Sequence, residues 1–186
     1  MKYFKKLVGE RIYLSPKSVE DAEKFTEWLN DFKTTDYLGR SHRIVTLQGE
    51  KEYLEKNADN KVSFAIVEKN TDKLIGTVGL HDLDYINRTS TLGIFIGDKD
   101  YRSKGYGTEA IRLILDFGFN YLNLNNIKLD LMGFNERALK CYKKCGFKEY
   151  GRRKCEFVNG KYYDRISMDI LAEEFKESYI KNKNIK

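Results

Sequence analysis

Short apolar runs alternate with stretches of helical periodicity along the 186 residues, and this pattern predicts a mixed α/β fold in one domain. Seven runs have the length and composition of strands: 11–14, 62–67, 74–80, 89–96, 127–132, 147–157 and 161–169. Turns at 70–73 and 84–88 join the second, third and fourth runs into an antiparallel meander. Asn159-Gly160 between the last two runs is a strong hairpin signal.

Five segments show helical periodicity: 22–29, 47–54, 110–121, 136–145 and 171–180. Ser18 with Asp21, Thr46 and Asn135 are predicted caps for the first, second and fourth helices, and Gly146 ends the fourth. Residues 32–44 are irregular by pattern. Because a helix links strand 89–96 to strand 127–132, these two strands are expected to form one parallel pair in a mostly antiparallel sheet.

The loop between strand 89–96 and helix 110–121 reads Asp100-Tyr101-Arg102-Ser103-Lys104-Gly105-Tyr106-Gly107-Thr108. Its two glycines let backbone N–H groups face outward, and the start of the next helix adds unpaired N–H groups and a positive dipole end. Arg102 and Lys104 add full charges. The loop therefore predicts an anion-binding cradle that suits a pyrophosphate.

The loop also fits two other interpretations. A glycine-rich turn with solvated cations is the simplest, but the strand, loop and helix all agree with a phosphate site. A dinucleotide fingerprint fits Gly105-x-Gly107-x-x-Ala110 by letter and needs an acid at the end of the next strand. Asp130 lies at about the required 20 residues from the loop, but it is inside the apolar run 127–132 and not at its end. A Walker loop is excluded because no Gly-Lys-Ser/Thr follows.

Composition narrows the class of protein. A hydrophobic fraction of 41% and an aromatic fraction of 13% exclude a disordered chain, and no apolar run approaches the roughly 18 residues of a membrane span. The net charge is +6, but the lysines collect mainly at the two ends, so nucleic-acid binding is a minority interpretation. The three cysteines show no disulfide or zinc spacing and are expected to be reduced. We expect an intracellular, cytoplasmic protein with no membrane partner and no metal.

Two motifs resemble the GNAT superfamily of N-acetyltransferases. Arg102-x-x-Gly105-x-Gly107 after a strand is similar to the superfamily's acyl-CoA pyrophosphate loop. About 30 residues later, the run from Asn135 to Phe147 is similar to the superfamily's Asn-x-x-Ala-x-x-x-Tyr-x-x-x-Gly-Phe helix. The resemblance covers most of residues 12–170 and is closest to the ribosomal-protein N-terminal and spermidine acetyltransferase branch.

We expect a single acetyltransferase domain over 1–186, with a core at about 11–170, and the sequence pattern adds a C-terminal helix and basic tail at 171–186. The resemblance implies a central sheet in which the parallel pair splays apart, and the pantetheine arm of acetyl-CoA between the two strands. The cofactor-binding residues it implies are Phe95, Ile96, Gly97, Arg102, Ser103, Lys104, Gly105, Tyr106, Gly107, Thr108 and Asn135.

Of the two catalytic residues that the resemblance implies, the acid matches the family pattern and the base does not. Tyr142 matches the phenol that protonates the departing thiolate, and the alternative is a core aromatic residue on helix 136–145. Relatives often carry a glutamate base where this chain has Thr91, so we expect His81 or Asp82 to substitute, with a water relay or direct capture of neutral amine as alternatives. Glu109 has a structural reason to lie at a helix start.

The implied function is acetyl transfer from acetyl-CoA to a primary amine of a small molecule such as a polyamine or amino sugar, or of a protein N-terminus. A non-catalytic acyl-CoA or nucleotide sensor is the alternative, because the usual base is missing. The partners expected are the amine acceptor, as a small molecule or peptide, and a second copy in a possible homodimer.

Overall fold

The computed structural model describes residues 2–57 and 62–182. Eight strands form one sheet in the order β1-β2-β3-β4-β5-β6-β8-β7. Their bounds are Leu7–Val8 (β1), Ile12–Pro16 (β2), Ser63–Glu68 (β3), Lys73–Asp84 (β4), Thr89–Ile96 (β5), Asn126–Met132 (β6), Lys148–Val158 (β7) and Lys161–Leu171 (β8). The helices are Ala22–Asn30 (α1), Phe32–Thr35 (α2), Leu47–Lys56 (α3), Tyr106–Asn120 (α4) and Glu136–Lys144 (α5). The mixed, mostly antiparallel sheet is confirmed.

The parallel contact between β5 and β6 is short and defines the centre of the molecule. The two strands share only three residue pairs, the last of which joins Thr91 to Lys128. Beyond that point β5 pairs only with β4, and β6 pairs only with β8. The sheet therefore opens into a wedge between residues 92–96 and 129–132, which confirms the predicted splayed pair.

Each face of the sheet has its own apolar core. On one face, α4 buries Ile111, Ile114 and Leu115 against residues such as Leu80 and Ile127. On the other face, α1 and α3 pack onto β2 and β3 in a smaller core. The wedge thus lies between the layer formed by α4 and the layer formed by α1 and α3.

Capping and turn chemistry set several element boundaries as predicted. The Thr46 hydroxyl accepts from the Gly49 N–H at 3.0 Å, and the Asn135 side chain accepts from the Ala138 N–H at 3.1 Å. Gly146 follows α5 with φ of +95°. The β7–β8 hairpin turns through Asn159 and Gly160, both with positive φ, as a two-residue turn of this composition requires.

The predicted C-terminal helix at 171–180 is wrong. β8 runs to Leu171, a single 3₁₀ turn spans Ala172–Glu174, and residues 175–182, the last that the structure describes, form no helix. The buried Asp116 carboxylate accepts from the backbone N–H groups of Tyr179 and Ile180 at 2.6 and 3.0 Å, in place of helical carbonyls. The apolar spacing is satisfied instead by packing of this segment onto the core beside α4.

Smaller departures lie near the N-terminus. The pattern missed β1, and β2 continues through Pro16, which pairs in register with Phe64. Residues 32–38, predicted to be irregular, form α2 and a 3₁₀ turn.

Within the described ranges, no helix has the length and apolar character needed to cross a membrane.

Candidate active site

The wedge belongs to one continuous cavity of about 1030 Å³ that extends from the start of α4 to α3. Of the predicted site residues, eleven line it: His81, Asp82, Phe95, Ile96, Arg102, Ser103, Gly105, Gly107, Thr108, Asn135 and Tyr142. Three predicted residues do not line it, namely Gly97, Lys104 and Tyr106. The sequence motifs therefore converge on one space despite their separation along the chain.

The cradle forms where the loop after β5 enters α4. Ser103 and Gly105 both have positive φ, of +60° and +86°. The first intrahelical bond runs from the Glu109 N–H to the Gly105 carbonyl at 3.1 Å, so the N–H groups of residues 106–108 are left without helical partners. Gly107 and Thr108 line the cavity here, and unpaired N–H groups together with the helix dipole favour an anion at this end.

The two glycines of the cradle differ in why a side chain is absent: backbone conformation requires glycine at position 105, whereas position 107 is open. Gly105 needs its positive φ, and a Cβ at that position would lie 3.1 Å from an Arg11 nitrogen. Gly107 has no positive φ, and its Cβ would meet only Ile96 Cγ1, at an ordinary 3.8 Å. The fold therefore tolerates a side chain at Gly107, and the open space beside it is available for a ligand.

Arg11 braces the cradle from outside, a role that the sequence did not reveal. Its guanidinium donates to the Lys104 carbonyl at 2.9 Å and to the Glu109 carboxylate at 3.0 Å, and it stacks 4.5 Å from the Tyr106 ring centre. Glu109 also accepts from the Arg11 and Ile12 backbone N–H groups. The structural role expected for Glu109 is confirmed, and Tyr106 faces this brace instead of the cavity.

Arg102 acts mainly as a clamp on the backbone. Its guanidinium donates to the carbonyls of Ile96 and Gly97 and to the Thr34 hydroxyl, each at 2.9 Å. These bonds tie the end of β5 to the loop and to α2, and they leave only the second terminal nitrogen without a described partner.

Gly97 is also committed to packing. Its N–H donates to the Ile75 carbonyl at 2.9 Å, and its own carbonyl is taken by Arg102. A Cβ here would lie 2.1 Å from the Trp28 ring. Both backbone groups are occupied, so Gly97 positions the end of β5 beneath Trp28.

Helix α5 supplies the wall opposite β5. Asn135 caps the helix with its side-chain oxygen, and its amide nitrogen has no partner among the described residues. Tyr142 is 9% exposed, packs edge-on against Phe147 at 5.8 Å, and forms no hydrogen bond through its hydroxyl within the described ranges. Burial is the main cause that raises the Tyr142 pKa above its ordinary value, so the phenol stays protonated.

His81 lies directly across the β4–β5 ladder from Thr91, in register with it. Opposed residues on antiparallel strands point to the same face, and the His81 Nε2 lies 3.0 Å from where a Gly93 Cβ would be. The imidazole therefore covers β5 where the wedge begins to open. Burial lowers the His81 pKa from 6.5, and the nearby Lys17 lowers it further, so the ring is neutral at pH 7.

Asp82 follows His81 at an irregularity in the ladder and has φ of +51°. Its side chain is exposed at the edge of the cavity, and its charge opposes the downward shift of the His81 pKa. It is thus a neighbour of His81 with wider access to solvent.

The end of the cavity around His81 is lined by residues from four parts of the chain. We call this end the distal chamber, and it is defined by Lys17, Arg40, Arg43, Glu50, His81 and Asp82. Burial raises the pKa of Glu50 on α3. The sequence placed none of the three cations here, because they precede or follow helices with no recognisable motif.

Cysteines and possible metal ligands add little to the site. All three cysteines are free, and Cys141 lies 3.2 Å from the Thr108 hydroxyl. No group of three or more His, Cys, Asp or Glu residues in the described ranges is arranged to hold a metal ion.

Comparison with known proteins places this geometry in a family. The model of the Acetyltransferase (GNAT) domain matches residues 11–148. A Bacillus subtilis (strain 168) protein named Probable N-acetyltransferase YjcK is 34% identical over 180 residues, which cover 89% of this chain and 96% of that protein. The Spermidine N(1)-acetyltransferase of Vibrio cholerae is 36% identical over 118 residues, or 63% of this chain and 68% of that protein.

The fold comparison agrees. The crystal structure of spermidine N-acetyltransferase from Vibrio cholerae in complex with CoA and spermine superposes with a TM-score of 0.81, at 26% identity, over 89% of this chain and 98% of that one. Together with the wedge, the cradle and the α5 motif, these matches decide for the enzyme over the non-catalytic sensor. The chain therefore belongs to the GNAT acetyltransferase family and is an acetyl-CoA-dependent N-acetyltransferase that acts on amines.

Proposed function

We propose that the acetyl group passes directly to a primary amine, with His81 as the general base and Tyr142 as the general acid. The observation that carries this proposal is that both side chains line the same cavity as the cradle. A direct attack needs acceptor and donor in one enclosed space, and no acyl-enzyme residue is then required.

The residues present suit a bound acetyl-CoA. The open space beside Gly107 and the free N–H groups of residues 106–108 would hold the diphosphate, and the Asn135 amide nitrogen would bind the pantetheine arm. Lys104 is exposed and adds positive charge to the same loop. When bound, acetyl-CoA supplies the acetyl group as a thioester, which a backbone N–H of β5 can polarise.

The base follows from the register of β4 and β5. Where relatives often carry a glutamate, this chain has Thr91, and His81 is the residue opposite. A neutral imidazole can accept the proton that an acceptor ammonium must lose before attack. The lowered pKa of His81 keeps the imidazole neutral across the physiological range.

The acid follows from the environment of Tyr142. Tyr142 lines the cavity, and its hydroxyl forms no hydrogen bond with a described residue. Burial raises the Tyr142 pKa, so the phenol is protonated and carries a proton that it can donate as the thiolate departs.

We expect His81→Gln to lower kcat/KM for the acceptor about 100-fold at pH 7, because a general base contributes that order of rate. The deficit should shrink as pH rises, since the acceptor amine then deprotonates in solution. In the wild type, the activity lost to protonation of His81 should appear only below pH 6.5, since the folded pKa lies under that value. Thiol release measured from pH 5.5 to 9.5 tests this.

His42→Gln is the matched control, because His42 is exposed and does not line the cavity. A deficit for His81→Gln that stays constant over the whole pH range would assign His81 a packing role. The base would then be Asp82 or a relayed water.

The acceptor itself is proposed only as a class. The relatives named for spermidine support a primary amine, and protein N-termini and amino sugars share that group. Release of CoA thiol, followed with a panel of these amines, tests the proposal, and no release with any of them would contradict it. The homodimer stays a prediction.

A further inference from the structure

The distal chamber holds three cations with no carboxylate partner. Lys17, Arg40 and Arg43 all line the cavity, and none of them has an ion pair within 4.0 Å among the described residues. Unpaired cations gathered around one concave space indicate that an anion from outside is expected there.

Lys17 is the most constrained of the three. It directly follows β2, it is only partly exposed, and its ammonium lies 5.9 Å from the Phe25 ring centre. Burial lowers the Lys17 pKa to about 8, Glu50 acts in the opposite direction, and Arg40 lowers it further. Holding this charge away from water without a close carboxylate is costly, and a bound anion would offset the cost.

The distal chamber contains two carboxylates, Glu50 and Asp82, against three cations, so at least one positive charge is left uncompensated there. Glu50 is 7% exposed, and burial raises its pKa while the nearby Lys17 lowers it. Asp82 lies at the exposed edge, and Glu156, which also lines the cavity, is paired with Arg165. His81 therefore experiences a net positive surrounding from Lys17 and Arg40.

We propose that the acceptor is a primary amine that also carries a carboxylate or phosphate, which Lys17 and Arg40 bind while the amine faces His81. This inference rests on the proposed function and names its substrate class. A polyamine would bring further positive charge to Lys17 and Arg40, whereas an anionic group would complement them. Arg43, exposed at the rim, would attract the same group during approach.

The test uses matched pairs of amines that differ mainly in charge. One pair is 4-aminobutanoate and 1,4-diaminobutane, and the other is glucosamine 6-phosphate and glucosamine. Each is titrated by calorimetry into the full chain saturated with CoA, and each is assayed for thiol release from acetyl-CoA. We expect the anionic member to be favoured at least about tenfold in one pair, and that pair distinguishes a carboxylate from a phosphate.

Variants then assign the preference to residues. Lys17→Gln and Arg40→Gln should each reduce the anionic preference about tenfold, and Lys17→Glu should favour the diamine. Lys51→Gln is the control, since Lys51 lies on the exposed side of α3 and does not line the cavity. Arg40 is exposed, so Arg40→Gln remains informative if the Lys17 variants unfold.

Tighter binding of the more cationic or neutral member in both pairs would overturn the inference, as would no binding of any member or an unchanged preference in Arg40→Gln. A clear anionic preference in binding without thiol release would support the inference and contradict the proposed function instead.

Discussion

Replacing Tyr142 with phenylalanine is expected to slow acetyl transfer about 100-fold while acetyl-CoA binding and folding stay unchanged. The ring keeps its edge-on contact with Phe147, and the lost hydroxyl has no hydrogen bond to a described residue, so little folding energy depends on it. The thiolate must then leave without a proton from the protein, and general acids contribute about 10²-fold or more. Single-turnover rates and calorimetric titration with acetyl-CoA measure the two quantities separately.

Tyr85→Phe is the control for this substitution, because Tyr85 is an exposed residue in the turn between β4 and β5. Unchanged turnover in Tyr142→Phe would remove the acid role and leave Tyr142 as a packing residue of α5. A parallel loss of acetyl-CoA affinity would indicate that the hydroxyl binds the ligand more than it serves the reaction.

Gly107→Val is expected to weaken acetyl-CoA binding at least about 100-fold, or about 2.7 kcal/mol, without lowering the melting temperature. The protein itself leaves room for the new side chain, since the nearest atom to a Cβ is Ile96 Cγ1 at 3.8 Å. The valine would therefore occupy the space that the diphosphate needs. Calorimetry gives the affinity, and a thermal unfolding curve gives the stability.

Gly151→Val in β7 is the matched control, because its Cβ would also meet only one atom, Ser167 Cβ at 3.7 Å, and it does not line the cavity. Gly105→Val should behave differently and lose stability, since Gly105 has φ of +86° and Arg11 lies against it. Normal acetyl-CoA affinity in Gly107→Val would mean that the diphosphate lies elsewhere.

The sequence predicts those features of the site that are formed by residues close together along the chain. The cradle, the Asn135 cap and the Asn159-Gly160 hairpin each depend on residues within a few positions of one another, so spacing alone reports them. The Arg11 brace joins residues 98 positions apart, and no local pattern signals such a contact. For the same reason no local pattern predicts the distal chamber, which is formed by the residue after β2, the segment after α2, α3 and β4.

Arg102 illustrates a different limit. A cation in a glycine-rich loop is typical of a phosphate-binding residue, and the sequence therefore predicts this role for Arg102. The structure nevertheless engages most of its donors with the Ile96 and Gly97 carbonyls and with Thr34. On the side that faces the wedge, the end of β5 has no neighbouring strand to donate hydrogen bonds. The carbonyls of Ile96 and Gly97 therefore need other donors, and the Arg102 guanidinium supplies them.

The C-terminal segment shows how periodicity can mislead. Phe175, Tyr179 and Ile180 recur at helical spacing and do pack onto the core. The buried Asp116 captures the backbone N–H groups of Tyr179 and Ile180, and this competes with helix formation. A buried carboxylate 63 residues away cannot be read from the segment itself.

Titration of acetyl-CoA into the protein, repeated in the presence of inorganic diphosphate, tests the cradle most directly. The account predicts a saturable complex with one site per chain, whose apparent affinity falls as diphosphate competes for the N–H groups at the start of α4. A complex of unchanged affinity in excess diphosphate, or no saturable complex at all, would contradict it.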